Sequence, residues 1–126
     1  MAISQQFSKK KASGARLRRI SKKRKHEMGR LPVLTKIGER QMKRIRVEGG
    51  NSKDKLLREQ MINIFNPGTK KAEKATIKTV IDNKANRNFI RRNILTKGTI
   101  VNTDKGQAKV TNRPGQEGTV NGILVE

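Results

Sequence analysis

Seven Lys or Arg residues occupy the ten positions from Arg16 to Lys25, just before the single histidine, His26. The run reads Arg16-Leu17-Arg18-Arg19-Ile20-Ser21-Lys22-Lys23-Arg24-Lys25. Phosphates repeat closely along a nucleic-acid backbone, so a flexible basic segment makes several contacts at once, and each contact releases condensed counterions. Arginine adds a planar fork that grips one phosphate through two hydrogen bonds. Contact with RNA or DNA is therefore expected; the bland alternatives are a nuclear localisation signal or a solubilising tail. Ahead of the run stand Lys10, Lys11 and the small residues Ser13-Gly14-Ala15. Small residues let a backbone approach a phosphate closely, although such a triplet also serves as a plain linker.

A second basic block is Arg87-Asn88-Phe89-Ile90-Arg91-Arg92-Asn93, followed by Lys97-Gly98. On a helix, Arg87 and Arg91 share a face, and Phe89 with Ile90 would pin the turn to the body and leave three guanidiniums outward. A solvated helical face is the alternative. Gly49-Gly50-Asn51 suits a hairpin turn with positive φ, and its exposed amides, with Lys53 nearby, also suit RNA contact.

Acid–base or metal chemistry finds no support. His26 sits among cations, so a phosphate or base contact suits it better than a metal. The ten carboxylates are scattered. Glu27 and Glu39 are expected to orient neighbouring arginines, and Glu59 to be a satisfied polar residue on the outer face of a strand. None pairs with a carboxylate, histidine or hydroxyl at a catalytic spacing. Cysteine is absent, which removes thiol nucleophiles, thiolate metal sites and disulfides. No catalytic residue, metal, cofactor or small-molecule substrate is expected.

The whole chain carries 31 Lys or Arg against 10 Asp or Glu, for a net charge of +21. Like charges in a compact body repel, so the surplus implies a polyanionic partner. Nucleic acid leads, and an anionic membrane surface is the weaker candidate. No apolar run approaches the ~20 residues that cross a bilayer, and Met1 to Ser8 lack the apolar core of a signal peptide. The aromatic residues are Phe7, Phe65 and Phe89. So few rings argue against modules that read single strands on aromatic platforms. RNA would be held mainly through phosphates, sugars and shape.

The elements that must position these groups follow from composition. Residues 1–30 hold eleven Lys or Arg, one acid and no sustained apolar period. Such a segment cannot offset its ordering entropy, and it is expected to be a basic extension, disordered alone and ordered on its partner. Residues 31–126 hold twenty Lys or Arg, nine acids and most of the branched apolar residues. Met42 to Val47 alternates as a strand. Lys55 to Phe65 is one run, with Leu56, Ile62 and Ile64 on one side and Leu57, Met61 and Phe65 on the other; a helix over 54–64 competes. Pro67-Gly68 suits a type II turn. Ala75 to Ile81 is β-branched, Asn86 to Ile94 is a short helix or basic loop, and Thr99 to Thr103 pairs with Gln107 to Asn112 across Asp104-Lys105-Gly106. Pro114-Gly115 turns the chain again, and Val120 with Ile123 to Val125 forms a last strand in which Asn121-Gly122 is a hairpin tip or a bulge. The expected fold is all-β: a small closed or nearly closed β-barrel with a basic extended N-terminal arm and one short helix or basic loop.

Several blocks in chain order resemble one known family. They are Lys10-Lys11-Ala12-Ser13-Gly14-Ala15, Lys23-Arg24-Lys25-His26-Glu27-Met28-Gly29-Arg30 and Leu34-Thr35-Lys36-Ile37-Gly38-Glu39-Arg40. Arg44-Ile45-Arg46-Val47-Glu48-Gly49-Gly50-Asn51, residues 86–98 and residues 110–118 continue the pattern. Together they resemble small-subunit ribosomal protein eight of the type shared by archaea and eukaryotes, in its short archaeal form. At His26 the chain departs from the family, which usually has Tyr there. The resemblance implies a barrel with an arm laid on ribosomal RNA, neighbouring small-subunit ribosomal proteins as partners, a cytoplasmic ribosome-bound location, and no membrane. The expected RNA contacts are Lys10, Lys11, Ser13, Gly14, Arg16, Arg18, Arg19, Lys22, Lys23, Arg24, Lys25, His26 and Arg30 in the arm. On the body they are Lys36, Arg40, Arg44, Arg46, Asn51, Lys53, Arg58, Arg87, Arg91, Arg92, Lys97 and Arg113. A DNA-compacting chromatin protein is the alternative that charge alone permits. It lacks a recognisable DNA-docking helix.

Overall fold

The computed structural model describes residues 3–5, 8–18 and 20–125, so Phe7 and Arg19 lie outside the described residues. The chain divides into two compact units, Met1–Pro32 and Val33–Glu126. In the first unit, strands β1 (Ile3–Ser4) and β2 (Met28–Gly29) pair antiparallel. Residues 9–17 form a narrow hairpin: Lys10 bridges Arg16, and Leu17 N–H donates to the Lys9 carbonyl at 3.0 Å. A single 3₁₀ turn, Lys25–Glu27, precedes β2.

The second unit contains β3 (Thr35–Lys36), β4 (Gln41–Arg46), β5 (Ser52–Arg58), β6 (Met61–Asn66), β7 (Lys71–Asp82), β8 (Ile94–Leu95), β9 (Ile100–Thr103), β10 (Gly106–Val110) and β11 (Asn121–Leu124), with short helices α1 (Asn88–Arg91) and α2 (Pro114–Glu117). Five strands close a barrel in the order β10-β11-β6-β7-β9, with β9 returning to β10. Closure leaves those strands no open edge. The long β7 serves β6 with its first half and β9 with its second, and its register shifts at Ile77/Thr79 and Val80/Asp82. Such irregularities bend a strand and let a small sheet curl shut. A second sheet, β4-β5-β3-β8, was not foreseen in the sequence.

The alternation of the barrel strands decides which side chains are buried. Ile62 and Ile64 of β6, Ala75 and Ile77 of β7, Val101 of β9, and Ala108 and Val110 of β10 all face the core with Leu56, Leu95 and Val120. Each fully buried Ile, Leu or Val contributes about 1.5–3 kcal/mol. Leu57 is half-buried and Met61 and Phe65 are exposed, as the alternation predicts.

Five local expectations need correction. The run Lys55 to Phe65 is two strands, broken at Glu59-Gln60, where the chain leaves the second sheet and enters the barrel. Glu59 is buried there, not on an outer face. Its Oε1 accepts the Gln60 and Met61 N–H groups, each at 3.2 Å. The β6–β7 turn takes its positive φ at Lys70 (54°), not at Gly68, because Asn66 Oδ1 accepts Gly68 N–H and holds the turn locally. Pro114-Gly115 begins α2 instead of making a bare turn, so the described residues hold two short α-helices. Asn121-Gly122 is neither tip nor bulge; it lies inside β11, which runs parallel to β6.

Gly122 is needed for that close strand packing. A Cβ on it would lie 3.0 Å from both Ile62 Cδ1 and the Lys109 carbonyl oxygen, and a backbone oxygen held in β10 cannot easily yield. Gly122→Ala is expected to cost about 1–3 kcal/mol of stability through overpacking, measured by urea unfolding; an unchanged midpoint would contradict this account of the barrel seam.

Candidate nucleic-acid interface

The second sheet collects cations that lie far apart in sequence. Lys36 of β3 is the register partner of Arg58 of β5, and Lys43 of β4 is that of Lys55 of β5. Lys36, Arg58 and Lys43 are exposed and Lys55 is half-buried. Like charges set directly opposite across a sheet are destabilising. Folding alone gives no reason for two such pairs, which lie on opposite faces of β5, and an anion held at either pair relieves its repulsion. Arg44 and Arg46 extend the basic strand β4, and Lys53 at the start of β5 donates to Gln116 Oε1 at 3.3 Å.

Arg44 is offset in part by its own neighbour. Its Nε lies 2.8 Å from Asp54 Oδ1 and its Nη2 3.3 Å from Oδ2. That hydrogen bond, more than charge, holds the Asp54 carboxyl below the usual carboxylate range and raises the Arg44 guanidinium. Lys105 does the same for Glu73, again first by hydrogen bonding and then by charge.

The α1 cations join this sheet through β8. Strand β8 pairs with β3, Thr35 opposite Leu95 and Lys36 opposite Ile94, so Arg91 and Arg92 before it and Lys97 after it flank the same sheet edge. The short helix is real but only four residues long, with Arg87 αR at its N-cap. Phe89 and Ile90 are half-buried, and Ile90 packs on the core. A polar rivet fixes the segment to the barrel. Buried Asn83 donates from Nδ2 to the Ile94 carbonyl at 3.3 Å and accepts from Thr96 Oγ1 at 3.1 Å. Asn93, at φ 49°, accepts the Val80 N–H at 3.3 Å.

The loop glycines Gly49 and Gly50 have φ of 70° and 75°, the conformation the turn was expected to need. Asn51 turns its Nδ2 back to the Glu48 carbonyl at 3.3 Å. Arg113 is the N-cap of α2, which packs on β5. Arg40 follows β3 and is held by Glu59, Nη1 to Oε2 3.3 Å, not by Glu39.

In the first unit, Lys10, Lys11 and Arg16 line the flanks of the hairpin whose tip is Ser13-Gly14, and all are exposed. Lys22, Lys23 and Arg24 lead in single file to the 3₁₀ turn. Glu27 is buried at 7% exposure, and His26 Nε2 lies 3.9 Å from its Oε1. Lys43 and Lys55 gave only a weak signal in sequence, since strand pairing alone places them opposite each other; Lys74 was missed as well, and β7 sets it opposite Asn63.

The family described as Ribosomal protein S8e is matched over residues 4–125. This chain belongs to the ribosomal protein S8e family. It is 49% identical over 125 residues to the small ribosomal subunit protein eS8 of Methanobrevibacter smithii, covering 99% of this chain and 100% of that one. Against the eS8 protein of Nanoarchaeum equitans it is 51% identical over 108 residues, 86% of this chain and 85% of that one. The counterpart in Methanococcus vannielii is 48% identical over 126 residues, 99% and 98% of the two chains. Membership of the S8e family makes the chain a structural component of the ribosome and not an enzyme.

The sign of the Asp54 shift gives a test. A depressed folded pKa contributes stability that is complete above the unfolded value of ~4 and is lost as the pH falls through the lower folded value. The Tm advantage of the native protein over Asp54→Asn should therefore shrink below about pH 4. A difference independent of pH in scanning calorimetry would show that the Arg44 pair adds nothing.

Proposed function

We propose that this protein binds small-subunit ribosomal RNA through phosphate and shape contacts and so supports assembly of the small ribosomal subunit and translation. The family match over residues 4–125 carries this reading. The opposed cations on the second sheet support it, because an RNA backbone would relieve their repulsion. The body docks through Lys36, Arg40, Arg44, Arg46, Asn51, Lys53, Arg58, Arg87, Arg91, Arg92, Lys97 and Arg113. Residues 1–30 then order along the RNA as a basic arm, with Lys10, Lys11, Ser13, Gly14, Arg16, Arg18, Arg19, Lys22 to His26, and Arg30 as its contacts. Neighbouring small-subunit proteins are its protein partners, and the cytoplasm is its location. None of the described helices is long and apolar enough to cross a membrane.

DNA compaction receives no support from the three relatives named above, each a small ribosomal subunit protein. Competition between A-form RNA and duplex DNA for the protein separates the two readings: equal competition would favour DNA compaction.

Removing residues 1–30 should leave the body folded and weaken RNA binding with a shallower salt dependence, read from filter binding across a salt series. An unchanged slope for the truncated protein would sink the role given to the arm. In the body, the pair Arg91→Ala with Arg92→Ala should lower the salt slope by about 2, roughly 1 per lost phosphate contact, with circular dichroism unchanged. A slope equal to that of the native protein would remove the α1 segment from the interface.

A further inference from the structure

A pocket of about 250 Å³ opens beside the point where the chain crosses from the second sheet into the barrel. Buried Val120 forms its floor, and exposed Arg40, Met61, Asn63 and Lys74 stand around it. Glu59 lies in its wall at 3% exposure. This volume is below the ~300 Å³ at which sites for drug-sized ligands begin, and it suits one flat ring system.

Arg40 gives the pocket its character. One terminal nitrogen is 3.3 Å from Glu59 Oε2, and the other donates to the Gly118 carbonyl at 3.4 Å. The Glu59 carboxylate is itself fixed by the Gln60 and Met61 amides. A long side chain that would otherwise sample many rotamers is thus held at both ends of its fork, yet it stays 56% exposed. A fixed, exposed guanidinium plane is a surface on which RNA bases stack, with cation–π attraction added. Met61 and Val120 supply the apolar contact. Asn63 donates from Nδ2 to Asn121 Oδ1 at 3.0 Å, which orients its amide and leaves Oδ1 to accept from a base. Lys74, the β7 register partner of Asn63, puts an ammonium within reach of the attached phosphate.

We propose that this pocket captures one unstacked nucleotide of small-subunit ribosomal RNA, its base on the Arg40 plane and its phosphate on Lys74. The inference rests on the RNA-binding reading above and adds a base-stacking contact to it. The positive rim favours this occupant over an uncharged one. An acidic side chain of a neighbouring ribosomal protein would use the charge of Arg40 but not its plane.

Arg40→Lys separates these cases, because it keeps the charge and removes the plane. Full-length protein is titrated with naked small-subunit ribosomal RNA, and base-specific chemical modification is mapped on the complex. Arg40→Lys is expected to bind about ten-fold more weakly, within the range for loss of one stacked base, with its salt slope unchanged. One unpaired base protected by the native protein should become reactive. Asn63→Ala, on the exposed rim and away from the buried carboxylate, should expose the same base and keeps the test sound if Arg40→Lys unfolds. Native affinity and native protections in both variants would overturn the pocket alone and leave RNA binding standing. A native protein that forms no complex with the RNA would overturn both.

Discussion

Repulsion among cations is the constraint under which this structure is built. A chain with 31 basic and 10 acidic side chains must close a small apolar core while its surface pushes itself apart. The fold meets part of this internally: Asp54 holds Arg44, Glu73 holds Lys105, and Glu59 holds Arg40. At Lys36–Arg58 and Lys43–Lys55 the sheet even sets like charges opposite each other. On the proposed RNA-binding reading, an RNA backbone relieves that repulsion.

The barrel makes such tolerance possible. Its five strands leave no open edge, and its core is assembled from alternating branched side chains. Cost at the surface is carried by a body whose stability rests mainly on that buried core. Glu59 marks the joint of the design. At this residue β5, which belongs to the basic sheet, gives way to β6, which belongs to the barrel, and one buried carboxylate both ends the first strand and anchors Arg40.

Local features were legible where a residue type acts through its own backbone or its own alternation. The burial of Leu56, Ile62 and Ile64, the positive φ of Gly49 and Gly50, and the short helix around Phe89 belong to this kind. Expectations failed where a distant segment intervened. Gly122 reads as a turn residue, but it sits in a strand because β6 and β10 press close to it. Glu59 reads as an outward polar residue, but it is buried because the chain changes sheets there. Pro67-Gly68 reads as a type II turn, but Asn66 captures the loop amides and moves the left-handed residue to Lys70.

Composition and block order by themselves determined that this is a basic all-β protein of one ribosomal family, since charge, alternation and short motifs are properties of the chain read in line. Tertiary structure alone decided which cations meet. The pairing of β3 with β5 and β8, and of β6 with both β7 and β11, joins residues up to some sixty positions apart, and no local propensity encodes such register. For that reason the basic sheet, the rivet at Asn83 and the pocket beside Arg40 exist only once the barrel has closed.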